Sequence, residues 1–151
     1  MALVCFLAAA ATSLAQAAAK PAHTKPVVEL AADMKWVDMV PGPPGIKVVD
    51  LWGDHTKGAY GALIKFPAGL AAPLHTHGSD MKIVVVQGTF LHGAPGETDV
   101  RLGPGSYFLQ PGGSYKHTTA CDKASECIIF AESSGPFTLT MADAAETPAK
   151  K

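Results

Sequence analysis

The 151-residue sequence predicts an all-β fold, one antiparallel sandwich or barrel, on three observations. Turn formers are abundant, with 15 Gly and 12 Pro. So much punctuation argues against a helix bundle. Short runs rich in β-branched and apolar residues recur at brief intervals, as strands do. A Gly- or Pro-containing cluster separates most of those runs. The length suits a single domain with a real core, and no repeat of solenoid length is present.

Taken in order, residues 1–19 carry no Lys, Arg, Asp, Glu or His. The apolar run ends in Ala15-Gln16-Ala17, a small-residue cleavage pattern, and reads as a secretory signal peptide. It is short for a membrane span. Residues 20–26 read as a linker, 27–141 as the barrel domain, and 142–151 as a flexible tail. A weak helical pattern lies near Ala31–Val37. Strands are expected at Ile46–Trp52, Ala59–Phe66, Met81–Gln87, Thr89–His92, Ser106–Gln110, His117–Ala120, Cys127–Ala131 and Phe137–Met141. Removal of the signal takes Cys5 with it. Cys121 and Cys127 remain, and export places them where disulfides persist. Their alternatives are a pair of free thiols or a soft metal-binding pair. A net charge of −1 and a pI near 6.6 give no basic face for a nucleic-acid partner.

The chemistry concentrates in histidines. His75 and His77 are two apart, which on a strand puts both imidazoles on one face. His117 opens a later strand, and antiparallel pairing could bring it beside them. Three neutral imidazoles suit one divalent metal ion (Fe, Zn, Cu, Mn or Ni). These residues sit in two patterns. In the first, Gly69, five residues, His75-Thr76-His77, three residues, Met81, six residues, Gly88 resembles the first cupin motif, with Met81 where that motif has Glu. In the second, Gly105, five residues, Pro111-Gly112-Gly113 and then His117 resembles the second motif, with the His one residue late and the final Asn unmatched.

Residues 45–140 thus resemble the cupin superfamily (RmlC-like barrels), above all the ChrR-like domains and uncharacterised exported cupin-domain proteins. The resemblance implies a single double-stranded β-helix, the jelly-roll barrel. Met81 removes the carboxylate of a two-His-one-carboxylate platform. Strand parity points Met81 into the lumen, either as a soft ligand that favours copper or, preferred, as filling. Asp80 has the opposite parity and serves as a ligand only if a bulge turns it inward. Lumen candidates are Ile64 or Phe66, Ile83, Val85, Phe108 or Tyr107, and Ile129. Tyr60, Tyr107 and Tyr115 offer phenols to a ligand or simply pack. Among the other histidines, His23 is assigned to the linker, His55 to a solvated turn and His92 to an exposed turn, in preference to a place supporting the metal ligands.

The expected role is an exported, periplasmic or secreted, metal-binding protein with a small-molecule ligand or substrate. Its metal site consists of His75, His77 and His117. The resemblance implies a metal-dependent oxygenase of the three-histidine dioxygenase kind. The alternatives are a non-catalytic metal or small-ligand binding or sensor protein, and a structural barrel with a vestigial site. No membrane contact is expected after signal cleavage, and unpaired sheet edges give an incentive to homodimerise.

Overall fold

The computed structural model describes residues 23–142. The segment 1–19 read as a signal peptide, residues 20–22 of the expected linker and residues 143–151 of the expected tail lie outside that range. Eleven strands follow one another: β1 (Val37–Asp38), β2 (Lys47–Gly53), β3 (Tyr60–Phe66), β4 (Ala71–Thr76), β5 (Met81–Gln87), β6 (Phe90–Gly93), β7 (Val100–Leu102), β8 (Tyr107–Gln110), β9 (His117–Cys121), β10 (Cys127–Ser133) and β11 (Thr140–Met141). They form two antiparallel sheets, ordered β1-β2-β3-β10-β5-β8 and β11-β4-β9-β6-β7.

Alternation decides which face turns inward. In β5, Met81, Ile83 and Val85 are buried, while Lys82, Val84 and Val86 are exposed. In β10, Cys127, Ile129, Ala131 and Ser133 are buried and their neighbours are partly exposed. This is the period-two pattern of a sheet with one wet face. The inner faces meet in one core that includes Val48, Tyr60, Ile64, Phe66, Phe90 and Ile129.

No helix occurs among the described residues. The helical pattern at Ala31–Val37 gives way to a turn, closed by the Asp33 N–H donating to the Leu30 carbonyl at 2.9 Å. Most of that segment is exposed, so a helix there would have no apolar face to bury and would be too short to stand alone. The expected final strand over Phe137–Met141 shrinks to Thr140–Met141. Three strands went unlisted at the sequence level: β1, β4 and β7. They are short or interrupted, β4 by Pro73.

Candidate metal centre

His75 lies on β4 and His77 one residue beyond its end, while His117 opens β9. The β4–β9 ladder pairs Ala72 with Thr119, then shifts register so that His75 faces His117. Unbroken pairing would have put Leu74 opposite His117. The extra residue falls at Pro73-Leu74, where a proline cannot donate to the ladder. That irregularity brings the third ring level with the first.

The three rings converge. Centroid separations are 4.9 Å for His75–His77, 4.2 Å for His75–His117 and 5.1 Å for His77–His117. One ring nitrogen from each lies within 4.8 Å of the others, and all three residues are buried. Such a group could hold a metal ion.

Backbone oxygens orient the rings. His75 Nδ1–H donates to the Pro73 carbonyl at 2.7 Å, and His77 Nδ1–H to the Thr138 carbonyl at 2.7 Å. Each bond leaves Nε2 as the nitrogen with the free lone pair, as metal-ligating imidazoles require. Thr138 clamps twice, since its Oγ1 also accepts the Gly78 N–H at 2.7 Å. Nδ1 of His117 faces the buried Gln110 amide, whose Nε2 is 3.1 Å away. Burial is the chief cause that lowers all three pKa values, to about 4 for His77 and about 3 for His117. Repulsion from neighbouring imidazoles adds to it for His77 and His117. The rings are therefore neutral at physiological pH, the form that binds metal.

The group opens onto a cavity of about 50 Å³ walled mainly by apolar side chains. By size it holds on the order of four waters or a comparably small molecule. Ile64 and Phe66 both line it, together with the candidates Ile83, Phe108 and Ile129. Val85 packs in the core instead, and Tyr107 is 60% exposed. Met81 is buried and lines the cavity beside the histidines. Asp80 is exposed and turned away, its Oδ1 accepting the Gly112 N–H at 2.8 Å. The carboxylate instead ties the start of β5 to the turn before β9.

Two histidines were misjudged from sequence. His92 is not an exposed turn residue: its ring lies 5.2 Å from His117 and 5.1 Å from Phe108, and its Nδ1 is buried without a partner. The parity of the inward Phe90 two residues earlier would have placed it. His55 is not solvated but 7% exposed, with Nδ1–H donating to Asp50 at 2.9 Å. Of the tyrosines, Tyr115 stacks beside His117 with centroids 5.9 Å apart, and Tyr60 is fully buried. Cys121 and Cys127 form a disulfide that ties β9 to β10 and so one sheet to the other.

Comparisons agree with this architecture. A family model described as "Domain of unknown function (DUF4437)" matches residues 26–151. A search of curated proteins finds no match. Among solved structures, the polyketide cyclase RemF from Streptomyces resistomycificus is similar at 18% identity and TM-score 0.65, over 80% of this chain and 87% of that one. An RmlC-like cupin protein from Ralstonia eutropha JMP134 is similar at 22% identity and TM-score 0.61, over 79% and 73%. The structure of Rhodobacter sphaeroides SigE in complex with the anti-sigma ChrR contains a chain similar at 25% identity and TM-score 0.54, over 69% and 51%. The fold is that of the RmlC-like cupins, with a relationship to ChrR.

Proposed function

From the premise that this chain belongs to the DUF4437 family, we propose that it is an exported metal-binding cupin acting on a small molecule as a metalloenzyme of the dioxygenase type. The observation that carries the metal reading is the buried triad of His75, His77 and His117, with its rings held by carbonyls and its face open to an apolar cavity. A bound divalent ion would supply Lewis acidity and, for iron or copper, redox capacity. The chain's own contribution is positional. Three imidazoles hold the ion, the apolar wall of Phe66, Phe108 and Phe137 excludes water, and the Gln110 amide braces His117. Enzymes occur among the structural neighbours, the polyketide cyclase being one.

The test is metal analysis of purified protein, followed by oxygen uptake with a panel of thiols and diketones. Uptake that depends on bound metal and is lost in His75→Ala is the expected result. Metal-loaded protein that consumes no oxygen across the panel sinks the oxygenase reading. One observation favours a second reading, a non-catalytic binder. Apart from the three histidines, no ionisable side chain among the described residues lines the cavity to act as a general base.

Export to the periplasm or beyond rests on the residue 1–19 pattern and is supported by the Cys121–Cys127 disulfide, which persists in oxidising compartments. Mass spectrometry of the mature N-terminus, expected near Ala17–Lys20, checks it. Self-association through the β8 edge belongs to the same proposal. Tyr107 and Leu109 on that edge and Val84 and Val86 beside them expose an apolar strip.

A further inference from the structure

A second cluster lies away from the cavity, where β2 turns into β3. One ligand atom from each of Asp50, Asp54 and His55 lies within 4.8 Å of the others. The β2–β3 ladder is irregular between Asp50 and Trp52, a break of the kind that re-aims a side chain. His55 is buried, and its Nδ1 lies 2.9 and 3.1 Å from the two Asp50 oxygens. Asp54 Oδ1 accepts from Thr56, and its Oδ2 meets Lys57 Nζ at 2.6 Å. Lys57 is 80% exposed, so it stands there as a displaceable counter-charge rather than a fixed partner.

An independent feature points at the same place. Tyr60 opens β3 opposite Gly53, at the base of this turn. It is fully buried, and its hydroxyl has no hydrogen-bond partner. Its ring meets His55 edge-on, with centroids 6.2 Å apart, and burial first, then the Asp50 charge, push its hydroxyl pKa up. A buried hydroxyl without a partner is costly, and a water on a bound ion, a strong donor, is the kind of group that would satisfy its oxygen.

We propose that Asp50, Asp54 and His55 bind a second divalent cation of the zinc or manganese class, with a water on the ion donating to the Tyr60 hydroxyl oxygen. Two carboxylates and one imidazole are an oxygen–nitrogen donor set for such ions, and their two negative charges balance the ion. Binding releases Lys57 to solvent. The ion also braces one wall of the cavity. The His55 carbonyl accepts the Phe137 N–H at 2.7 Å, Phe137 lines the cavity, and Thr138 orients His77.

The experiment uses the full chain, stripped with chelator and titrated with zinc, by calorimetry and by metal analysis after desalting. Two zinc ions per chain are expected in the unmodified protein. One is expected in Asp54→Asn, one in His55→Gln and one in His117→Ala. Lys57→Ala, which keeps every donor, is expected to tighten the second site by about threefold, the strength of an exposed ion pair. A single ion that disappears in His117→Ala overturns this proposal, as do two ions that survive both Asp54→Asn and His55→Gln. A single ion that survives His117→Ala and is lost in Asp54→Asn supports it and instead overturns the three-histidine site.

Discussion

At the scale of single residues, the triad depends on rings held neutral and pre-aimed. His75→Ala or His117→Ala is expected to abolish stoichiometric metal binding at that site, read by metal analysis. Gln110 touches His117 rather than the ion. Gln110→Leu is therefore expected to weaken metal affinity by about 10- to 100-fold without changing the stoichiometry. Met81→Leu keeps the volume and removes the sulfur, so metal affinity within about threefold of the original marks Met81 as filling. Acid acts through the same rings. Their folded-state pKa values lie below the ordinary 6.5, at about 4 for His77 and about 3 for His117. The unfolded chain thus takes up protons first as pH falls. Metal-free protein is expected to lose stability progressively from about pH 6.5 down towards pH 3 to 4, with no loss from these groups above that window. Saturating metal should shift the onset to lower pH, since protons and metal compete for the same nitrogens. Denaturant titrations across pH check both statements.

At the scale of elements, the motif glycines have backbone reasons. Gly88, between β5 and β6, has φ +77°, and a Cβ there would meet the Glu126 carbonyl and Cys127. Gly88→Ala is expected to destabilise by at least about 1–2 kcal/mol, by denaturant unfolding. Gly112 packs against the Ser79–Asp80 backbone, where no side chain fits. The disulfide closes a short loop between β9 and β10. Its reduction should cost about 2 kcal/mol, the small value proper to a small loop, so the reduced protein should still fold. Met81–Gln87 was legible to the residue, because it carries an uninterrupted β-branched run, Ile83 to Val86, with a turn signal at Gly88 after it. β4 was harder to read, because Pro73 and a register shift interrupt it, yet it carries His75. His92 was misplaced because the Gly93 after it resembles a turn, although Gly93 itself belongs to β6.

At the scale of the whole molecule, β8 ends the six-stranded sheet, and among the described residues no strand pairs with its outer edge. With Tyr107 and Leu109 half exposed or more, the protein is expected to run as a dimer in light scattering. Tyr107→Lys together with Leu109→Glu should return it to monomer without changing metal content. The sequence by itself determined the fold class, the identity of the three histidines and the cysteine pair, because alternation, turn chemistry and motif spacing are local properties of the chain. Only the tertiary structure decided that no bulge turns Asp80 inward, that His55 is buried and His92 packs beside His117, and that Asp50, Asp54 and Tyr60 share a corner. Those facts depend on register and on sheet-to-sheet packing. A single bulge, such as the one that sets His75 opposite His117, moves a side chain to a new neighbour without leaving a mark that spacing alone reveals.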